Sequence, residues 1–170
     1  MRTTPRLALF ALFMGVLAGC GFQLRGTYSL PYESLYLSVA DYSLIGAGLK
    51  RAIRSSESTR IAETADDAQA TFLPTAEIRE PVILSLSSSG RVREKSLRYR
   101  YSYRIVDAKG RDLVLPDTVE LNRELTYADS DVLAKTQEED LLWRDMESDL
   151  VQQLMRRLAA VKPVTPAAAE

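Results

Sequence analysis

Apolar and polar residues alternate with a period of two in several segments of this chain, and with a period of three to four in two others. The short β-branched and aromatic run Leu35–Val39 alternates and predicts a strand. A stripe at helical spacing follows, with Ser43 in position to cap its first turn. The stripe consists of Ile45, Leu49, Ala52 and Ile53. The pattern therefore predicts a strand followed by a short amphipathic helix.

The segment from Ser55 to Asp67 is polar, and Ile61 is its only large apolar residue. Neither period continues through it. We therefore expect a connection here, with room for a brief extended piece.

A period of two returns at Ala70 and continues, with two interruptions, to Tyr127. The interruptions are Ser87–Gly90 and Asp107–Gly110, and both have the composition of tight turns. The segments that they separate are expected to be strands, the last from about Leu113 to Tyr127. Two hairpins in succession make an antiparallel meander of three long strands.

Proline interrupts the first strand of this meander twice, at Pro74 and Pro81. Each proline removes a donor from the hydrogen-bond ladder, so this strand is expected at a sheet edge or with a bulge. Its apolar residues are expected to line one face on each side of Pro81. They are Phe72, Ala76 and Ile78 before it, and Val82, Leu84 and Leu86 after it.

The last element is predicted to be a helix from about Val132 to Val161, ended by Lys162-Pro163. Its apolar residues recur every three to four positions. They are Leu142, Met146, Leu150, Leu154, Leu158 and Val161, with Val151 and Met155 widening the stripe. The tail 162–170 is rich in proline and alanine and is expected to be disordered.

The order of predicted elements is strand, helix, three strands, helix. Both helices have one apolar stripe, and each strand has one apolar face. The economical packing is therefore an α+β fold, a two-layer α/β sandwich with both helices on one face of a four-stranded mixed sheet.

Composition argues against several kinds of chemistry. The chain has no histidine, which removes the commonest general base and the commonest transition-metal ligand. The glycines Gly46 and Gly48 lack the further glycine that a dinucleotide site needs. We therefore expect no enzyme, no metal site and no cofactor apart from a covalent lipid.

The formal net charge is -1, so electrostatic recognition depends on local patches. Basic residues concentrate between Arg91 and Arg104, and acidic residues between Glu138 and Asp149. In the segment Leu97–Ile105 apolar and aromatic residues alternate with polar ones. If its tyrosines face the helices, its arginines point out of the open face of the sheet. This arginine row consists of Arg98, Arg100 and Arg104.

The arginine row has several candidate partners. In the second hairpin, Glu120 is expected opposite Arg98 or Arg100, and such a cross-strand pair contributes only ~0.2–1 kcal/mol. Residues of a partner protein or anionic lipid would suit the same side chains. Arg91 and Arg93, near the first turn, have few acids available to them.

The N-terminal residues have the layout of a secretory signal. Arg2 and Arg6 precede a charge-free apolar run that is shorter than the ~20 residues needed to span a bilayer. The run ends in Leu17-Ala18-Gly19-Cys20, which resembles the lipobox of a bacterial lipoprotein precursor. We expect residues 1–19 to be removed and Cys20, the single cysteine, to carry a diacylglycerol.

An acylated Cys20 would anchor the chain to a membrane without a spanning helix. Gly21 follows it. In the sorting rule of enteric-type bacteria, a residue other than aspartate at this position allows transfer to the outer membrane. Residues 20–161 are then expected to form one domain on the periplasmic side of the outer membrane.

The heptad Cys20-Gly21-Phe22-Gln23-Leu24-Arg25-Gly26 resembles the start of mature LPS-assembly lipoproteins of the LptE family, and Leu133-Ala134-Lys135 adds a short identity. The likeness of pattern extends along nearly the whole mature chain. It implies a noncatalytic subunit of the outer-membrane lipopolysaccharide translocon. Such a subunit plugs the β-barrel LptD, helps it fold and binds lipopolysaccharide.

The resemblance also implies ligand-binding residues. Lys135 matches a lysine that the family has before its last helix. A second basic position of the family falls near Ser88, which is not a cation, so Arg91 or Arg93 is expected to serve instead.

Two other functions would use the same features. Another outer-membrane lipoprotein scaffold, for envelope or barrel assembly, would share the anchor and the fold. A nucleic-acid or peptidoglycan binder would combine the arginines with exposed, stacking tyrosines. The accessibility of Tyr99 and Tyr101 tests the last alternative; we expect both to be buried and no nucleic acid to bind.

Overall fold

The computed structural model describes residues 28–56, 58–127 and 132–160. The predicted signal, Cys20 with its heptad, and the predicted C-terminal tail lie outside these ranges. Within them the chain forms five strands and two helices. They are β1 (Ser34–Leu37), α1 (Leu44–Arg54), β2 (Arg60–Ile61), β3 (Ala70–Leu86), β4 (Val92–Val106), β5 (Asp112–Thr126) and α2 (Val132–Ala160).

The strands form one mixed sheet in the order β2-β1-β3-β4-β5. β1 is parallel to both of its neighbours, and β3, β4 and β5 are the predicted antiparallel meander. Each turn of the meander ends in a glycine with positive φ, 78° at Gly90 and 77° at Gly110. Glycine adopts this conformation without the strain that a side chain would cause.

The sheet has one strand more than the sequence predicts. β2 contains only Arg60 and Ile61 and lies in the polar connection. The backbone N–H of Arg60 donates to the carbonyl of Glu33 at 2.9 Å, and that of Ala62 donates to Leu35 at 3.0 Å. Two residues are too few to produce a period of two. The prediction of four strands was wrong, because the sheet has β2 as a fifth, short strand at its edge.

The two helices pack against each other and against a common core, on one side of the sheet. The predicted cap of α1 is confirmed, because Ser43 Oγ accepts a hydrogen bond from the backbone N–H of Gly46 at 3.1 Å. Ile45, Leu49 and Ile53 of the predicted stripe are buried. The α+β class and the arrangement of both helices on one mixed sheet agree with the sequence analysis.

A glycine allows the close approach of the helices. A Cβ atom at Gly48 would lie 2.7 Å from Cγ2 of Val151, which is closer than such atoms can remain without movement. The side chain of Val151 is itself part of the core.

Replacing Gly48 by alanine is expected to lower the free energy of unfolding by about 1–2 kcal/mol. Overpacking costs about 1–3 kcal/mol, and the better helix propensity of alanine offsets at most ~1 kcal/mol of it. Urea unfolding measures the difference. Truncating the neighbour in the double variant Gly48→Ala/Val151→Ala should show a favourable coupling. Purely additive losses would contradict the proposed contact.

The tyrosines of β4 form the centre of the core. Tyr99, Tyr101 and Tyr103 are only 1%, 2% and 1% exposed, which confirms the prediction that they are buried. The Phe72 ring stacks on the Tyr103 ring with 5.2 Å between centroids. Trp143 of α2 meets Tyr99 edge-on at 6.2 Å, so the tyrosine face lies under the helix layer. Burial raises the pKa of Tyr103 to about 12.

Ion pairs connect α2 to every strand of the meander. They are Arg79–Glu147 with β3 (2.6 Å), Lys95–Glu139 with β4 (2.7 Å), and Arg157–Asp117 (2.5 Å) and Arg123–Asp149 with β5. Each pair is partly exposed and so contributes little by itself. Together they add to the apolar contacts that position the helix along the three strands.

β3 has a bulge next to its first proline. Its register with β4 shifts between Pro74 and Ala76. Phe72 is therefore buried among the core residues, while Ile78 lies opposite Arg100 and is 44% exposed. The prediction that Phe72, Ala76 and Ile78 share one face was wrong, because a shift of one residue moves every later side chain to the other face.

The predicted effect of the prolines on β3 is confirmed. β1 pairs only with Ala70–Phe72, so both Pro74 and Pro81 lie where β3 has no neighbour on that side within the described residues. A second irregularity follows between Ile83 and Leu86. Beyond Pro81 the expected apolar face is not covered by the helices.

Candidate functional site

The arginine row lies on the open face of the sheet, opposite to the tyrosines. Arg100 Nε lies 2.8 Å from Glu120 Oε1, and the two residues are directly paired across β4 and β5. The prediction of Glu120 as a cross-strand partner is thus confirmed for Arg100. Arg98 instead lies opposite Asn122, and it has no ion pair within the described residues.

The open face is balanced in charge and is not uniformly basic. Arg104 Nη1 lies 3.5 Å from Asp112 Oδ1, near the second turn. A shallow cavity of about 250 Å³ occupies the middle of the face. It is lined mainly by Ile78, Glu80, Arg98, Arg100, Glu120 and Asn122. With acids beside most of its cations, this face suits a polar protein surface of mixed charge better than a polyanion.

The first turns of α2 lie beside the start of β4. Lys95 Nζ contacts Glu139 Oε2 at 2.7 Å, and Tyr127 donates its hydroxyl hydrogen to the same carboxylate oxygen at 2.9 Å. Lys95 Nζ also lies 5.2 Å from the centroid of the Tyr127 ring. Partial burial opposes the charge on Lys95, but its hydrogen bonds with Glu139 and Tyr127 raise its pKa overall. The pair therefore stays ionised at neutral pH.

This network brings the predicted ligand-binding residues to one end of the molecule. Lys135 lies one helical turn before Glu139, and Arg93 lies two residues before Lys95. The backbone N–H of Tyr127 donates to the carbonyl of Arg93 at 2.8 Å, which holds β4 and β5 together at this end. We call Arg91, Arg93 and Lys135 the basic end.

The cations of the basic end differ in their surroundings. Lys135 Nζ lies 2.7 Å from Glu138 Oε2, within the same helix. Arg91 and Arg93 are exposed, next to the β3–β4 turn. Ser88 is exposed in that turn, three residues before Arg91, so no cation occupies the position that the resemblance implies. A side chain as long as arginine can reach past the turn from either position.

The ion pair between Lys95 and Glu139 is not among the predicted site features. The sequence does contain a sign that Lys95 has a partner. It shares the strand face of Leu97 and Tyr99, which is otherwise apolar or aromatic. A cation at such a position needs a partner from the layer that covers the face. The partner, Glu139, is 44 residues away in the sequence and becomes recognisable only once α2 is placed on the sheet.

Some chemical roles find no support in the described part of the chain. No cluster of side chains there could hold a metal ion. None of the helices there is long and apolar enough to cross a membrane. The burial of Tyr99 and Tyr101 argues against the alternative in which exposed tyrosines stack on bases or sugars.

The fold and its charged surfaces define a small α+β protein in which two helices cover one face of a mixed sheet. Residues 32–158 match the LptE family, described as lipopolysaccharide-assembly. The chain belongs to the LptE family. It is 30% identical to the LPS-assembly lipoprotein LptE of Pectobacterium atrosepticum, over 92% of this chain and 88% of the relative. Identity to the protein of the same name from Yersinia pestis is also 30%, over 95% and 78%.

Solved structures have the same fold. The solution structure of an uncharacterized lipoprotein B from Nitrosomonas europaea superposes with a TM-score of 0.70 and 38% identity, over 82% of this chain and 91% of that one. The crystal structure of the rare lipoprotein B from Shewanella oneidensis has a TM-score of 0.64 at 23% identity, over 75% and 94%. At that identity the second likeness concerns the fold alone.

Proposed function

We propose that this protein is a noncatalytic lipoprotein of lipopolysaccharide assembly, attached to the outer membrane through an acylated Cys20 and facing the periplasm. In this role it plugs the β-barrel LptD, helps it assemble, and binds lipopolysaccharide during its transfer to the outer leaflet. Membership of the LptE family supports the role in assembly. The observation that carries the binding function is the basic end.

The basic end suits the phosphates of lipopolysaccharide. Arginine binds phosphate through two parallel N–H donors, and lysine acts as a compact charge. Arg93 stands near the start of β4, which pairs with β3 from Val92 and with β5 from Glu94, and Arg91 directly precedes that strand. Lys135 stands on a helix that is held to the same strand. Donors on rigid elements lose less conformational entropy when they bind a ligand.

The open face suits the inside of a barrel. The lumen of an outer-membrane barrel is polar and contains water. A face on which Arg98, Arg100, Glu80 and Glu120 stand close together can form complementary contacts with such a wall. The two surfaces therefore support two different interactions of the same protein.

Charge reversal at the basic end is expected to weaken lipopolysaccharide binding about tenfold or more. The reason is that a charge-assisted hydrogen bond contributes about 1.5–3 kcal/mol and a reversed charge repels phosphate. The variants are Arg91→Glu/Arg93→Glu and Lys135→Glu, and binding is measured with purified lipopolysaccharide. Lysine at the two arginine positions is the conservative control and should retain most of the affinity.

Charge reversal on the open face provides the matched comparison. The variant Arg98→Glu/Arg100→Glu should reduce the amount of LptD that copurifies from membranes and leave lipopolysaccharide binding intact. Variants of the basic end should behave in the opposite way. If both sets retain full binding to both partners, the electrostatic assignment is wrong. If a different envelope protein copurifies in place of LptD, the protein is instead another outer-membrane scaffold.

A further inference from the structure

Three aliphatic residues at the end of β3 are unusually exposed. Ile83, Leu84 and Leu86 are 55%, 47% and 56% exposed, and we call them the apolar tip. They immediately precede the turn Ser87–Gly90, on the part of β3 that has no neighbour other than β4 within the described residues. An exposed apolar run at a strand edge favours aggregation unless another molecule covers it.

The apolar tip is held in place by the hairpin. The backbone N–H of Ser87 donates to the carbonyl of Arg91 at 2.8 Å, and the N–H of Gly90 donates to Ser87 at 3.0 Å. The hydroxyl of Ser87 also accepts from the N–H of Arg91 at 3.1 Å. The aliphatic side chains therefore stand on an ordered turn. The tip begins opposite Lys95, the residue of β4 that Glu139 of α2 contacts.

The apolar tip and the basic end are neighbours across the two strands. Ile83 lies directly opposite Lys95, and Leu86 lies opposite Val92, the residue between Arg91 and Arg93. Directly opposed residues of antiparallel strands have Cα atoms about 4.5–5.5 Å apart. One end of the hairpin thus carries exposed aliphatic residues and exposed arginines at neighbouring positions.

An anionic amphiphile matches both halves of this surface. A purely apolar partner would remove the exposed side chains of Arg91 and Arg93 from water without offering them hydrogen-bond acceptors. A soluble polyanion would leave the aliphatic side chains in water. We infer that the apolar tip binds an acyl chain of the lipopolysaccharide molecule whose phosphate lies at the basic end. This inference rests on the proposed function, and it adds a second, hydrophobic subsite to it.

The test compares intact lipopolysaccharide with base-deacylated lipopolysaccharide, which keeps the sugars and phosphates. The double variant Leu84→Ser/Leu86→Ser of the mature protein should bind the intact form about tenfold more weakly, because two leucines lose their apolar contact. Its affinity for the deacylated form should not change. Equal losses for both forms, or no loss for the intact form, would overturn the inference.

The chain offers a matched control for this variant. Leu115 of β5 is 72% exposed and lies near the other turn of the meander, so Leu115→Ser removes a leucine that is more exposed than Leu84 or Leu86 and lies away from the apolar tip. It should leave both affinities unchanged. A loss for Leu115→Ser equal to that of the double variant would show a general effect of surface apolarity and overturn the inference. Circular dichroism should show the same thermal transition for all three proteins.

Two further measurements separate the outcomes. If Arg91→Glu/Arg93→Glu weakens binding of both ligand forms but the leucine variant weakens neither, the proposed function stands and the acyl subsite fails. If neither variant affects either form, the proposed function fails too. Vesicles of phosphatidylcholine and phosphatidylglycerol test a bilayer as the occupant. Vesicle binding that depends on the leucines as strongly as lipopolysaccharide binding would refute a subsite for a single amphiphile.

Discussion

Replacing Tyr101 by alanine is expected to lower the free energy of unfolding by about 3–5 kcal/mol. The side chain is 2% exposed and lies between the sheet and the helix layer, with the Phe72 ring 6.5 Å away in a stacked orientation. Its removal leaves a cavity that neighbouring strands cannot close, because the hydrogen-bond ladders fix their spacing. Denaturant unfolding followed by far-ultraviolet circular dichroism measures the loss.

Tyr42 provides the control for this experiment. It is 90% exposed, so Tyr42→Ala should change the free energy of unfolding by no more than about 0.5 kcal/mol. A phenylalanine at position 101 should retain most of the stability, since the ring and its packing remain. If Tyr101→Ala were no more destabilising than Tyr42→Ala, the tyrosine face would not be the core of this fold.

Replacing Cys20 by serine is expected to lower the membrane-attached fraction of the protein roughly tenfold or more. Two acyl chains give stable anchoring, whereas the chain without them has only protein contacts to hold it. The substitution is made behind a cleavable signal of a soluble exported protein, so that residues 1–19 cannot act as an anchor. Membrane fractionation and intact-mass measurement give the result.

Cells depleted of LptD supply the control for this second experiment, because they remove retention through the barrel. The wild-type chain should remain in the membrane fraction there, and the Cys20→Ser chain should become soluble. A wild-type protein whose mass shows no acyl groups would contradict the proposed anchor.

The sequence predicts the elements whose period repeats along the chain, and it also predicts the shorter β1 and α1. The meander and α2 extend over many residues. Gly90 and Gly110 mark the two turns of the meander. β2 escapes prediction because its two residues are attached to β1 by backbone hydrogen bonds, which any sequence can form. The register shift between Pro74 and Ala76 is not predicted by the sequence either. Proline indicates that a ladder is interrupted, but not by how many residues the register moves.

In the candidate site, too, some contacts are predictable from the sequence and others are not. The partner of Arg100 is predictable, because a hairpin with a known turn fixes which residues face each other. The partner of Lys95 is not, because nothing local determines where α2 lies along the sheet. The position of the helix depends on the sum of many side-chain contacts across the layers. The roles of Lys135, Arg91 and Arg93 in ligand binding stay predictions.

The contacts of α2 affect when this protein can fold. Arg79 and Glu147 are 68 residues apart in the sequence, and the helix that covers the tyrosines is the last of the described elements along the chain. Without it, three aromatic side chains of the sheet lack the helix that covers them. We expect folding to be slow, because segments far apart in the sequence must meet, at a cost in chain entropy, before apolar burial stabilises the structure. We therefore expect a chain that stops before residue 132 to expose its core tyrosines and to be sensitive to proteases, because its core forms only when α2 packs on the sheet.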